Sequence, residues 1–276
     1  MILVTGATGT VGQAVLAALA GRDDVLATTR DRAKADARTR HFDLERPLTY
    51  WPALDGVTRL FLLFPPGIAR PRERFRSFLA AAKRAGVERA VFLSVRNVER
   101  IKVLPHLGLE REVEASGLAW THLRPNDFMQ NFATVPVLRD GIARGELWAA
   151  GGDARTSYVD VRDVGEAAAR VLTEGRHEGR AYPLTGPEPL DLDQVVQKLS
   201  GALGRPVRYA RPSLPGFFRH ARRQGAPAPL AAVMTGIGVI ARLGLADGVD
   251  PDLERLLGRP PRRFDAFARD YREVWA

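Results

Sequence analysis

Ile2-Leu3-Val4-Thr5-Gly6-Ala7-Thr8-Gly9-Thr10-Val11-Gly12 is the stretch whose reading decides the fold. Ile2 to Thr5 is a short run rich in β-branched residues. Val11, Ala14, Val15, Ala18 and Leu19 then recur at helical spacing, so the glycines punctuate a strand, a turn and a helix. In such a loop Gly6 permits the tight turn, Gly9 lets the backbone approach a pyrophosphate, and Gly12 allows close packing. The amides opening the helix, together with the backbone around Thr8, Thr10 and Val11, would face the phosphates. A second strand-like run, Val25-Leu26-Ala27-Thr28-Thr29, follows at the distance expected of a β-α-β unit.

The end of that second strand bears on cofactor choice. It runs into Thr29-Arg30-Asp31-Arg32, with no acidic residue at its tip to accept from a ribose 2′-hydroxyl. Arg30 is placed to pair with a 2′-phosphate instead, which favours NADP(H) over NAD(H).

Composition narrows the remaining possibilities. The 276 residues, 45% hydrophobic, are enough for one nucleotide-binding domain with a smaller appended lobe. With no cysteine, disulfides, thiolate catalysis and cysteine-ligated metals are excluded. The five histidines, His41, His106, His122, His177 and His220, show no metal-binding spacing, so no metal is expected. A net charge of +9 invites a nucleic-acid reading. However, of the 41 cations only Lys34, Lys83, Lys102 and Lys198 are lysine, and the arginines are spread along the whole chain without aromatic interleaving. No nucleic-acid partner is expected, although a basic surface also attracts an anionic dinucleotide. The chain opens directly on a core strand, and its most apolar late stretch, Leu230 to Leu245, is short and interrupted by Arg242. The expectation is a cytoplasmic protein with no membrane segment, monomeric or homodimeric.

Further along, Thr39 to Phe42 reads as a third strand ending at Asp43, which could accept from an adenine amino group or form a turn. Val57 to Phe64 is almost uninterrupted apolar sequence, as in a strand buried on both faces, and stops at Pro65-Pro66-Gly67. A helix from Arg72 to Ala85 and a strand Ala90 to Leu93, with Ser94 at its tip, follow. Glu110 to Ser116 reads as helix and Trp120 to Pro125 as strand. A mobile or substrate-facing loop is expected next, carrying Asn126, Asp127, Phe128, Met129, Asn131 and Phe132. Phe128 and Met129 suit core packing as well as they suit pocket lining. Thr156 to Val159 reads as extended, with Asp160 as N-cap of a helix from Val161 to Leu172. Tyr182 to Thr185 reads as strand and Asp193 to Ala202 as helix, with everything later helical or rich in Pro and Gly.

With these pieces placed, the chain resembles the NmrA-like branch of the atypical short-chain dehydrogenase/reductases, and within it the group containing the fungal ergot-alkaloid (agroclavine and festuclavine) dehydrogenases and their bacterial relatives. The resemblance rests on Val4–Gly12, Leu62–Pro66, Glu114–Pro125, Phe128–Phe132, Tyr158–Val164 and Leu184–Glu188, in order over residues 1 to about 200. It implies an α/β fold: a Rossmann-type, doubly wound parallel sheet with a small, mostly helical C-terminal substrate lobe. The core would come mainly from residues 1–124 and 156–185 and the lobe from 125–155 and 186–276. It also implies cofactor contacts from Gly6–Gly12, Arg30, Asp43, Phe64, Pro65 and Ser94, with the nicotinamide near Pro125. Asn126, Phe128, Met129 and Phe132 would then serve the substrate.

One departure bears on mechanism. Typical short-chain dehydrogenases use the tyrosine of Y-x-x-x-K as proton donor, but the residues four after Tyr50, Tyr158, Tyr182, Tyr209 and Tyr271 are Leu54, Arg162, Gly186, Ser213 and Trp275. At the expected place the sequence offers His106 and Glu110. An acceptor that is already a cation, such as an iminium, needs no proton. For a carbonyl, enone or quinone, His106 could serve as the acid, or it could be a loop histidine with no role. Ser94 could orient a substrate oxygen or simply end its strand. The expected function is an NADPH-dependent reductase of a small organic substrate. The rival is a non-catalytic, dinucleotide-binding redox sensor acting through protein partners.

Overall fold

The computed structural model describes residues 1–65, 67–101 and 104–276. The chain divides into two compact units. The first comprises Met1–Pro125, Val161–Leu184 and Arg255–Gly258; the second comprises Asn126–Asp160, Thr185–Glu254 and Arg259–Ala276.

In the first unit the strands are β1 (Ile2–Val4), β2 (Val25–Thr29), β3 (Thr39–His41), β4 (Arg59–Leu63), β5 (Arg89–Leu93), β6 (Ala119–Pro125) and β8 (Arg180–Leu184). They form one sheet in the order β3-β2-β1-β4-β5-β6-β8, with every pairing parallel. The chain leaves β1 to one side and returns to the other with β4, so the order reverses between these strands. That crevice is where open α/β sheets bind ligands. The apolar stretch read from Val57 narrows to Arg59–Leu63 as strand, and Pro66 of its stop signal lies outside the described residues.

Both faces of this sheet are covered, as parallel strands require. Helices α2 (Tyr50–Leu54), α3 (Pro71–Arg84) and α4 (His106–Glu114) pack Phe75, Phe78, Leu79, Leu109 and Val113 against Leu3, Leu60, Leu62 and Phe92. Burying each such side chain contributes about 1.5–3 kcal/mol. Helices α1 (Thr10–Ala18) and α7 (Val161–Thr173) lie together on the other face, close enough that a Cβ on Gly165 would come within 2.5 Å of the Ala14 carbonyl oxygen. Helix α4 starts at His106, a turn earlier than the spacing from Glu110 suggested, because Leu109 and Val113 both face the core.

The second unit is mostly helical. It holds α5 (Asn131–Thr134), α6 (Pro136–Ala143), α8 (Leu192–Leu203), α9 (Leu214–Arg223), α10 (Ala228–Arg242) and α12 (Phe264–Asp270); α11 (Asp252–Leu257) runs from its residues into the segment Arg255–Gly258. Asp191 and Gln194 close a reciprocal capping box at the start of α8. The core is aromatic: Phe132, Tyr158, Phe264, Phe267 and Trp275 pack together, and the Trp275 indole donates to the Phe132 carbonyl at 3.0 Å.

Three sequence expectations are refined here. Of the loop expected after Pro125, residues 126–130 are irregular, but Asn131 and Phe132 open α5, with α6 following, because Phe132, Val137, Leu138 and Ile142 turn toward the core. Thr156 to Val159 makes only isolated bridges, Thr156 to Leu190 and Val159 to Phe128, within the second unit. The region after residue 202 is not all helix and turn. β9 (Arg208–Tyr209) pairs in parallel with β7 (Glu146–Leu147), a pairing too short for sequence alternation to reveal.

Candidate functional site: a dinucleotide cradle on the strand tips

Because the strands of the first unit are parallel, their carboxyl ends share one edge. That edge collects the Gly6–Gly12 loop after β1, Arg30 after β2, Asp43 after β3, Phe64 and Pro65 after β4, Ser94 after β5, and Pro125 ending β6.

The loop geometry shows why each glycine stands where it does. Gly6 has φ +62°, a conformation L side chains rarely adopt, and a Cβ there would meet the Leu63 side chain at 2.6 Å. Gly12 is forced by packing: a Cβ would lie 2.2 Å from the Gly6 carbonyl oxygen, so the first turn of α1 could not close onto the loop. Gly9 differs from both. Its φ is −90°, and a Cβ would find nothing nearer than the Gly6 oxygen at 3.4 Å. The protein's own packing therefore leaves room there, which suits a position kept bare for an external group. Gly9 is also the N-cap of α1, where no side chain caps the helix and no acidic residue sits in the first turn. The first-turn amides thus present partial positive charge to an anion. Thr5 braces the loop, its hydroxyl donating to the Phe61 carbonyl at 3.0 Å and accepting from the Leu63 amide at 3.2 Å. Its role was not read from the sequence, where a threonine ending a strand gives no signal.

The other tips carry different chemistry. Arg30 is exposed. Asp43 adopts the turn role: its Oδ1 accepts from the Glu45 amide at 3.0 Å and its Oδ2 lies 3.6 Å from Arg46. Ser94 is 2% exposed, and its Oγ has no hydrogen-bond partner among the described residues. An unmet buried hydroxyl is costly, about 1–3 kcal/mol, so this atom suits a group supplied by a ligand. The Pro125 carbonyl accepts from the Arg96 amide at 2.9 Å, fixing the end of β6.

His106 sits between aromatic rings, edge-on to Phe64 at 5.9 Å and stacked on Phe92 at 6.4 Å, with Nδ1 buried and unpartnered. Burial holds its imidazole below the usual histidine range, so at neutral pH it is uncharged and a poor proton donor. Glu110 is no alternative. Arg124 clasps both of its oxygens, at 2.9 and 2.6 Å, and also reaches Glu99 at 2.7 Å. Glu110, Glu114 and His122 have ligand atoms within 4.8 Å of one another, a grouping the sequence spacing hid, but the Arg124 clasp on Glu110 makes this an ion-pair network.

The residues expected to serve substrate fall in the second unit, and most are engaged within it. Asn126 donates to the Ser157 and Ala246 carbonyls at 3.1 and 2.8 Å. Met129 and Phe132 are buried core residues, at 1% and 3% exposure, which decides the open choice for Met129 in favour of packing. Phe128 stays partly exposed. Tyr158 is held in the core, where burial pushes its hydroxyl far up, so it does not replace the missing tyrosine.

A doubly wound parallel sheet with an uncapped glycine loop at its reversal point defines a Rossmann-type dinucleotide-binding protein. The NmrA-like family model matches residues 1–237, and the chain belongs to this family. It is 34% identical to an NAD(P)H azoreductase from Xenophilus azovorans, over 98% of this chain and 97% of that one. It is 30% identical to agroclavine dehydrogenase from Claviceps fusiformis, over 80% and 77%. Among solved structures, an NADPH-dependent quinone oxidoreductase from Escherichia coli complexed with NADPH superposes with a TM-score of 0.83 at 27% identity, covering 97% of this chain and 98% of that one. The chain thus falls in the class of NAD(P)H-dependent oxidoreductases. Among the described residues, no helix is long and apolar enough to cross a membrane.

Proposed function

We propose that the chain is an NADPH-dependent reductase that transfers hydride to a small organic acceptor, an iminium, quinone, enone or carbonyl compound, without a Tyr-Lys pair. The observation that carries the reading is the cradle on the carboxyl edge of the sheet, above all Gly9, bare where the protein's own packing would admit a side chain. The α1 amides bind the pyrophosphate, and Arg30 pairs with the 2′-phosphate that distinguishes NADPH from NADH. Phe64 and Pro65 border the dinucleotide, and Asp43 shapes the turn beside it. Bound NADPH supplies the hydride. Ser94 uses its unmet hydroxyl to orient the nicotinamide carboxamide or a substrate oxygen, while the Phe64–His106–Phe92 group keeps water out. The quinone and azo reductions named for the relatives support an acceptor of this kind.

Calorimetric titration with NADPH, NADP+, NADH and NAD+, on the wild type and on Arg30→Glu, tests the reading. NADPH is expected to bind at least about tenfold tighter than NADH, and the variant to lose that preference. A wild type that binds the oxidised forms far more tightly than NADPH would support a redox sensor instead. Absence of binding would overturn the cradle assignment.

A further inference from the structure

The cations of the chain are spread evenly, but its acids are not. Between Asp193 and Asp247 no Asp or Glu occurs, while Lys198 and seven arginines do, giving this stretch a charge of +8 against +9 for the whole chain. Within it, residues 224–241 carry no charge at all. The two features become α9 and α10, which pack on each other within the second unit.

Helix α10 is seated by Ala231, Gly238 and Ala241, all buried, and a Cβ on Gly238 would come within 2.4 Å of the Ala150 side chain. By the helical period the opposite side carries Ala232, Val233, Gly236, Val239, Ile240 and Leu243, of which Val233, Val239 and Leu243 are 56%, 38% and 68% exposed. A surface helix ordinarily turns polar residues to water, and this one has none on that side. Its one hydroxyl, on Thr235, donates back to the Ala231 carbonyl at 2.7 Å. Helix α9 is the reverse case. Phe217 and Ala221 anchor it, and Arg219, Arg222 and Arg223 are exposed. Among the described residues none of the three pairs with a carboxylate; Arg222 donates to the Ala226 carbonyl at 2.6 Å, in the turn that leads to α10. Glu146, the acid near His220 of α9, accepts from the Trp148 indole at 2.7 Å.

We propose that the outer faces of α9 and α10 form a docking surface for an anionic lipid bilayer, the apolar side of α10 entering the headgroup boundary while the α9 arginines pair with lipid phosphates. The charge of the surface selects this partner: an anionic bilayer uses apolar area and unpaired cations on adjacent helices at once. Nucleic acid would use the arginines but offers nothing to a bare aliphatic helix. A second copy would cover α10 but bring one acid-free, arginine-rich surface against another. At 15 residues α10 is too short to span a bilayer, so it lies on the surface. The proposal does not depend on the dinucleotide site.

Co-sedimentation of the full chain with phosphatidylcholine vesicles, with and without about 30% phosphatidylglycerol, tests it. The chain has no cysteine, so Val239→Cys carries one environment-sensitive dye on α10, and Leu48→Cys carries the same dye at an exposed site of the first unit. Wild type is expected to bind the anionic vesicles at least about tenfold tighter than the neutral ones, and to lose that advantage in high salt. Arg219→Gln/Arg222→Gln/Arg223→Gln should weaken binding roughly 100-fold, and Val233→Ser/Val239→Ser/Leu243→Ser about tenfold or more, with folding checked by urea unfolding. The dye on α10 should shift to the blue on anionic vesicles and the dye at residue 48 should not. That readout needs neither triple variant, so it decides even where one of them fails to fold. Absence of wild-type binding overturns the proposal, as does an equal shift of both dyes. A serine variant that folds and binds as wild type does would reduce the arginines to general polyanion binding and overturn it. So would a dimer in sedimentation velocity that the serine variant breaks while wild type ignores the vesicles, because the face would then belong to a second copy.

Discussion

The Gly6–Gly12 loop and the Asn126–Phe132 segment are the two most recognisable motifs of the chain, and they make their sites in opposite ways. The loop works through backbone: two glycines are required by geometry and one stands bare, and the amides they expose are the functional groups. The segment works through side chains, and most of these face inward. Met129 and Phe132 hold the core, Asn126 ties two backbone carbonyls, and Asp127 is left with one carboxyl oxygen unpaired. A motif made of backbone announces its function in the sequence, whereas a motif made of side chains does so only after packing has assigned each one a direction.

The contrast can be broken at several points. The largest effect is expected at Phe132. Truncation to Ala removes a ring from the second core and should cost about 3–5 kcal/mol, lowering the melting temperature by roughly 10 °C. NADPH affinity measured well below that temperature should stay within about threefold. A variant that melts normally but fails on substrate would return Phe132 to the pocket. Gly12→Ala comes next. Its Cβ cannot fit against Gly6, so both stability, by about 2–3 kcal/mol in urea unfolding, and dinucleotide affinity, by at least about 100-fold, should fall. Gly9→Ala sharpens the same point. It should fold to within about 1 kcal/mol of wild type and still lose at least about tenfold in NADPH affinity. Equal loss of stability at Gly9 and Gly12 would mean that both glycines serve packing alone.

The smallest effect distinguishes the two regions by the sign of their pH dependence. His106 has a folded-state pKa below its unfolded value, near ~6.5. As the pH falls through that range, the unfolded chain takes a proton that the folded chain refuses, so stability declines toward acid. Asp127 is shifted the other way: between its ordinary pKa near ~3.9 and about 6 the folded chain holds the extra proton, and stability declines as the pH rises through that window. Unfolding in urea from pH 5 to 7.5 should therefore show His106→Leu losing less stability toward acid than wild type, and Asp127→Asn losing less toward neutral pH. Parallel profiles for all three proteins would place both groups in solvent.

Much of the first unit was legible. The second strand matches the sequence reading residue for residue, and β5 and β6 do so to within one residue at their starts, because turn and breaker residues such as Gly86, Gly117 and Pro125 bound these short runs. The β7–β9 pair and α5 were not legible. Two to four residues carry no measurable period, and the strand partners lie tens of residues apart. Asp43 illustrates the intermediate case. The sequence left turn and adenine contact open, and the local bonds to Glu45 and Arg46 show the turn.

By itself the sequence determined the parallel sheet, the glycine loop, the lack of cysteine and of a Y-x-x-x-K motif, and the cation after β2. All of these are properties of residue type and short spacing, which local sterics and hydrophobic periodicity translate directly into structure. Only the tertiary structure decided which polar groups are satisfied. It paired Arg124 with Glu110, set His106 among rings, left Ser94 and one oxygen of Asp127 without partners among the described residues, and buried Tyr158 in the second core. The reason is physical: an ionisable side chain takes its proton affinity from burial and from neighbours brought in by folding, and neither is written in the residues beside it.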